Sequence, residues 1–381
     1  MYKFDEVANR VGSDSVKWSA VSGDMIPMWV ADMDIQSPPL IVEAVVKRAQ
    51  HPYFGYPYTL GELTNCVVDH YQREYQVRVD PKWIVWVPSV IPGVVTALQT
   101  KGGEFMYSIP MYDHIRSLHA EAKLPAVEVP MKRDENYRYS MDIEALEAAI
   151  TPAVKSLILC NPHNPVGRVY AREELLELQG FCEKHNLLVI SDEIHCELAL
   201  EGRHIPFFAL NEESARHSVT LSSAGKICNI PGLPMGFAII PNEEFRIAFL
   251  SRQDGLWPSA NVLTLAAYEK AYDGSCDIWK KELREYLREN RDLAEKRFNR
   301  IPELKTPHNE GTYLLWVDCS AIGVDNPMEF FLEKAHVRVS AGEIYGYKQY
   351  IRFNYGCPRS QLIEALDRME QAISEWRETQ D

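Results

Sequence analysis

The chain has 381 residues and no CxxC pair, and its eight cysteines are scattered from Cys66 to Cys357. That spacing suggests neither a zinc site nor a dithiol redox centre. In a chain this long it reads as the reduced thiols of a cytoplasmic protein. No uninterrupted apolar run reaches membrane-spanning length, and the opening stretch MYKFDEVANRVGSD lacks the apolar core of a signal peptide. Basic charge is scarce: 40 Lys and Arg against 54 Asp and Glu leave a formal −14. That balance opposes non-specific binding to nucleic acid or to an anionic membrane. Two nucleotide motifs are missing as well. No GxGxxG follows a strand-like run, and around Lys226 a P-loop fails, because Thr220 takes its first glycine position and Ile227 follows the lysine. Internal repeats, low-complexity tracts and Gly/Ser linkers are also lacking, so two closely packed domains are expected.

What the chain does have is an ordinary globular composition, 46% hydrophobic and 25% charged. Its middle alternates short apolar runs with amphipathic helices. SLILC (Ser156–Cys160), LLVIS (Leu187–Ser191) and SVTLS (Ser218–Ser222) read as buried strands, and REELLELQGFCEKH (Arg172–His185) as a helix. Continuous apolar strands separated by helices imply an α/β fold with a mainly parallel sheet covered on both faces. From about Cys276 the texture changes. A long charged helix over Asp277–Ile301 looks like a connector, and TYLLWVD, VRVSAG, YIRFNYG and a last helix from Arg359 form a smaller α+β unit. The helix over Pro38–Gln50, opened by paired prolines, is expected beside that unit.

In open α/β sheets, ligands bind beyond the carboxyl ends of the strands. Asn164 follows the first of these strands, Asp192 and His195 follow the second, and Ser223 and Lys226 follow the third. An amide, a carboxylate and an amine thus converge on one sheet edge. Lys226 is the sole charged residue in LSSAGKICNIPGLPMG, and an ammonium there is costly to bury without a partner from elsewhere. Upstream, WIVWV (Trp83–Val87) reads as a strand leading into a helix, with Ser89 as N-cap and Pro92 in the first turn. The free N–H groups of such a turn suit a phosphate, although the pattern alone means no more than a capped helix. Pyridoxal 5′-phosphate (PLP) uses all four features. Its aldehyde takes a lysine, its ring nitrogen a carboxylate, its phenolic oxygen a donor and its phosphate a helix start.

NPHNPVG, SDEIH and SSAGKICNIPGL together resemble the fold-type I PLP enzymes. PMWVADMD (Pro27–Asp34), FGYP (Phe54–Pro57) and IRFNYGCPR (Ile351–Arg359) resemble one branch of them, the cystathionine β-lyases or C–S lyases related to class I/II aminotransferases. The resemblance implies a seven-stranded, mainly parallel central sheet in a large domain, 48–278. It also implies a small α+β domain built from both termini, 1–47 with 279–381. Lys226 would bond covalently to the coenzyme and shuttle protons, Asp192 would pair with the ring nitrogen, and Asn164 would donate to the phenolic oxygen. Tyr112 would stack on the ring, while Ser89, Val90, Ile91 and Ser223 would hold the phosphate and His195 would support the site. Tyr56 would reach the phosphate of a neighbouring subunit, which implies a homodimer with shared sites. Arg352 would clamp the substrate carboxylate, with Asn164 and Ala31 as further substrate contacts. No metal is implied.

Departures from the wider family sharpen this. Pro234 stands eight residues after Lys226, where many aminotransferases place an arginine. His195 stands where they place tyrosine, and Gly225 where serine is frequent. The first two match the lyase branch. The expected activity is therefore C–S β-elimination, turning cystathionine, cystine or related S-substituted cysteines into a thiol, pyruvate and ammonia. Transamination stays open as an alternative, because the machinery is shared. So does a regulatory, protein-binding role on the same fold. Asp32 and Asp34 read either as groups at the substrate mouth or as solvated turn residues.

Overall fold

The computed structural model describes residues 2–19, 21–57, 60–257 and 260–380. Seven strands form the main sheet: β1 (Ile84–Val87), β2 (Glu104–Ile109), β3 (Ala126–Pro130), β4 (Val154–Cys160), β5 (Leu188–Asp192), β6 (Ser218–Ser222) and β7 (Gly236–Ile239). Their order is β1-β7-β6-β5-β4-β2-β3. The expected parallel core is present from β6 to β3, and β7 alone runs antiparallel to both its neighbours. The three strands predicted from their apolar residues are buried throughout, save for Lys155 on β4. A strand covered on both faces has no solvated side to mark with alternating polar residues.

Register decides where the chemistry can sit. Cys160 pairs with Asp192, and Asp192 pairs with Leu221. The carboxyl ends of β4, β5 and β6 therefore end level with one another. Helix α1 (Val90–Lys101) leaves β1 at the same edge and crosses the sheet closely. Its Gly93 permits that approach, since a Cβ there would lie 2.2 Å from Leu221 Cδ2 and the leucine would have to move.

The second sheet contains β8 (Leu314–Asp318), β9 (Ser340–Ala341) and β10 (Tyr350–Asn354) in the antiparallel order β8-β10-β9. The N-terminal segment joins this part of the molecule: Ile26–Pro27 pairs in parallel with Val337–Arg338. Helix α2 (Asp277–Phe298) links the two regions, burying Trp279, Leu283, Leu287, Ala294 and Phe298 along one face. It also buries Lys280, whose ammonium sits 2.7 Å from the buried Glu197 carboxylate. A charge taken out of water needs such a partner. None of the described helices is long and apolar enough to cross a membrane.

Candidate active site

The level strand ends bring most of the expected residues together. Lys226 lies in the turn after β6, and its Nζ donates to the Ala31 carbonyl at 2.7 Å. Desolvation, helped by the nearby Arg352 guanidinium, lowers its pKa from 10.5 to about 8. Asp192, the last residue of β5, is buried, and burial raises its carboxyl from 3.8 to about 6. The Ile194 N–H donates to its Oδ1 at 3.1 Å and opposes that rise, as does the charge of Lys226. Its second oxygen makes no hydrogen bond among the described residues. Lys226 and Asp192 thus lie near enough to bias each other's protons.

Arg352 projects from β10 in the second sheet. It is buried, its Nη1 donates to Asn164 Oδ1 at 3.2 Å, and its Nη2 donates to the Trp29 carbonyl at 3.0 Å. The Tyr345 ring backs the guanidinium at 4.8 Å. Its Nε has no partner, and neither has Nδ1 of the buried His195. His195 is held neutral, mainly by burial and also by the charges of Lys226 and Arg352, and it meets the Tyr313 ring edge-on at 6.2 Å. Tyr112 precedes the Asp113–Ala122 helix. Burial raises its hydroxyl pKa, and the charges of Asp192 and Arg352 are close enough to act on it.

The helix start differs from expectation in one detail. Ser89 occupies the N-cap position of α1, but its side chain makes no capping bond. The hydroxyl and the first-turn N–H groups of Val90 and Ile91 are left for an external anion. Ser223 is the reverse case. Its hydroxyl donates to the Met235 carbonyl at 2.7 Å, lies 2.8 Å from the Tyr268 hydroxyl, and accepts the Gly225 N–H at 3.1 Å. It holds the turn that presents Lys226. Gly225 belongs to the same arrangement, since a Cβ there would come within 3.2 Å of Ser223 Oγ. A serine at 225 would crowd the hydroxyl that already does this work.

Tyr56 is not brought to these residues. It is 94% exposed, in a run with the exposed Tyr53 and Phe54. Asp34 is no solvated turn residue: it is 7% exposed and binds Lys17 at 2.8 Å, Arg10, Trp18 and Gln361. It anchors the N-terminal segment behind the site. Asp32 accepts more distant contacts from Arg10 and Lys17, at 3.6 and 3.7 Å. Sequence reasoning missed Tyr313, Asn354 and Asn229, all of which hold the Trp29–Ile35 loop. Asn354 had a usable signal, since residues two apart on a strand share a face and it lies two beyond Arg352.

The donor set suits PLP. A partly deprotonated amine, a buried carboxylate with an open oxygen, an uncapped helix start and an arginine with an orphaned nitrogen meet at one edge. Together they match an aldehyde, a ring nitrogen, a phosphate and an amino-acid carboxylate.

Comparison with known proteins agrees with this geometry. The model of the aminotransferase class I and II family matches residues 24–369. The chain is 33% identical to cystathionine beta-lyase PatB of Bacillus subtilis (strain 168), covering 97% of this chain and 100% of the relative. Among solved structures it superposes on OvoB with a TM-score of 0.93 at 35% identity, covering 98% of this chain and 99% of that one. Cystalysin from Treponema denticola, whose structure contains a pyridoxal 5′-phosphate cofactor, gives a TM-score of 0.93 at 28% identity, with coverage of 98% and 99%. The order of the motifs, the level strand ends and these full-length likenesses have one reading: the chain belongs to the aminotransferase class I and II family.

Proposed function

We propose that this protein is a PLP-dependent C–S β-lyase acting on S-substituted cysteines such as cystathionine. The observation that carries the reading is the buried Lys226 amine at the level strand ends, held 2.7 Å from the Ala31 carbonyl and within reach of the charges of Arg352 and Asp192. When bound, the coenzyme supplies an aldehyde that condenses with amines and a ring that accepts electrons from the substrate's α-carbon. Asp192 would keep the ring nitrogen protonated. A cation beside that carboxylate lowers its pKa and so reverses the effect of burial. Asn164 would orient the phenolic edge, Tyr112 would cover the ring face, and Ser89 with the Val90 and Ile91 N–H groups would seat the phosphate.

Arg352 would grip the α-carboxylate through nitrogens that include the orphaned Nε, fixing the Cα–H bond toward Lys226. The Ala31 N–H, which has no partner among the described residues, is a second candidate contact for the substrate. Lys226, as the neutral amine, takes the α-proton onto its lone pair. The electron pair left behind expels the β-thiolate. Pro234, at the position where an arginine is frequent, supplies no cation for a side-chain carboxylate, as in the lyase branch.

The same reading divides the chain into a coenzyme-binding unit, 48–278, and a small unit made of 1–47 and 279–381, which accords with the two separate sheets. It also makes the protein a homodimer. Tyr53, Phe54 and Tyr56 are exposed within four residues of one another, and Tyr53 and Tyr56 share one surface concavity, which supports a covered face there. An 870 Å³ concavity beside the helix start, walled by Trp86, Pro88, Met235 and Trp257, offers a second copy a place to insert. Eight free cysteines accord with a reducing, cytoplasmic setting.

Incubation with cystathionine or an S-alkyl cysteine, without an added oxo acid, tests the activity. Pyruvate is the expected product. Glutamate formed from 2-oxoglutarate with no pyruvate would assign transamination instead.

A further inference from the structure

The segment Trp29–Met33 is irregular, yet none of its carbonyls is idle. Trp29 O accepts from Arg352 Nη2 and from Ser340 Oγ, both at 3.0 Å. Val30 O accepts from Asn354 Nδ2 at 2.6 Å. Ala31 O accepts from Lys226 Nζ at 2.7 Å and from the Tyr313 hydroxyl at 2.8 Å. Asp32 O accepts from Asn354 Nδ2 at 2.7 Å and from Lys17 Nζ at 3.1 Å. Met33 O accepts from Asn229 Nδ2 at 2.9 Å and from Arg10 Nη1 at 3.2 Å.

One side chain straddles the middle of this row. Asn354 is fully buried, gives its amide hydrogens to the carbonyls on either side of Ala31, and accepts the Gly356 N–H on Oδ1 at 2.7 Å. Its amide is satisfied in this orientation only. Flipped, its oxygen would face two carbonyl oxygens. Both peptide planes that flank the Ala31 carbonyl's own plane are thereby pinned. Arg352 lies two residues earlier on β10, so a single strand face sets both the carboxylate clamp and the loop opposite Lys226.

We propose that the Ala31 carbonyl is the resting post of the free Lys226 amine, and that Asn354 and Tyr313 are positioning residues that set its place and its acceptor strength. The idea rests on the lyase reading for its purpose, because a lysine that takes and returns a proton needs one fixed position while unbonded. A neutral amine that gives one N–H to this oxygen has its lone pair directed elsewhere. Once it has taken a proton, the ammonium keeps the same bond, now charge-assisted and stronger. The carbonyl therefore favours the protonated amine, against the desolvation and the Arg352 charge that disfavour it. Other groups facing the amine are the Asp192 and Asp32 carboxylates, which favour the ammonium, and the neutral His195 and Tyr313. Tyr313 draws on the same oxygen, so it weakens what is left for the lysine.

The two positioning residues must then act in opposite directions. Competitive acetylation of Lys226 across a pH series, read by peptide mass spectrometry on the coenzyme-free full chain, reports the amine's own midpoint. In Asn354→Ala the carbonyl loses its alignment and the midpoint falls by about one unit, a tenfold change in proton affinity. In Tyr313→Phe the carbonyl is left to the lysine alone and the midpoint rises. Both midpoints within about 0.3 units of the unsubstituted chain, or both moving the same way, would overturn the proposal. Should Asn354→Ala fail to fold, Tyr313→Phe decides alone: a rise supports the proposal, and no rise refutes it. The labelling needs no substrate turnover, so its result stands apart from the pyruvate assay. Failure of the lyase reading would show only in that assay.

Discussion

Asp192→Asn makes the sharpest test of the site's electrostatics. In the coenzyme-free chain the buried carboxyl has its pKa raised from 3.8 to about 6, with desolvation as the main cause. The folded state then holds this proton more tightly than the unfolded state does. Stability must fall as pH rises from about 4 to about 6, because folding keeps a carboxylate out of water once it ionises. The gap between the two values corresponds to a cost of ~3 kcal/mol above that window, at 1.36 kcal/mol per unit. Asparagine keeps the oxygen that accepts the Ile194 N–H and has no proton to lose. Coenzyme-free Asp192→Asn should therefore match the original chain near pH 4 and be more stable by ~3 kcal/mol near pH 7. Lys226, at about 8, stays mostly protonated across this range and does not confuse the comparison. Denaturant unfolding of both chains at several pH values measures the difference directly. Bound coenzyme should reverse the order, since a ring cation makes the ionised carboxylate favourable. Parallel stability profiles for the two coenzyme-free chains would refute the reasoning.

Three other perturbations follow from the same structure. Arg352→Lys loses the planar fork that meets Asn164, the Trp29 carbonyl and a carboxylate together; kcat/KM for any amino-acid substrate should drop about 10–100-fold, largely through KM. Lys280→Met strands the buried Glu197 carboxylate, with His70 Nε2 3.6 Å away as a poor substitute, and unfolding experiments should show a loss of about 3–5 kcal/mol. His308 bridges Glu295 and Glu201, and its hydrogen bond to Glu295 chiefly raises its pKa from 6.5 to about 9. Its stabilisation is fully present below pH 6.5 and disappears as pH rises through about 9. Because the side chain is half exposed and screened, His308→Ala should cost no more than ~1 kcal/mol at pH 6 and nothing near pH 10.

The fold was legible wherever burial left a one-dimensional trace. β4 and β5 contain the apolar runs LILC and LVI, and β6 a Val-Thr-Leu centre, so their strand ends, and with them Asn164, Asp192 and Lys226, could be placed on one edge without coordinates. The antiparallel β7 was not legible. Gly236–Ile239 is four residues long, follows a proline-rich turn, and carries no mark of its direction. The end of the long connector helix was read three residues late, at Ile301 rather than Phe298, because charged residues continue past it. Ser223 shows a different limit. The resemblance made it a phosphate contact, and only the Met235 carbonyl and Tyr268, distant in sequence, show the hydrogen bonds its hydroxyl already makes. Asn229 and Tyr313 were invisible for the same reason. Their partners are backbone carbonyls of a loop about 200 or more residues earlier, and a carbonyl looks alike in every residue.

The central claim is a covalent bond between PLP and the amine of residue 226. Incubation with PLP, borohydride reduction and peptide mapping by mass spectrometry test it most directly. The account predicts a phosphopyridoxyl adduct on the peptide that carries Lys226, absent from Lys226→Ala. An adduct on a different lysine, or none at all under conditions where the chain is folded, would contradict it.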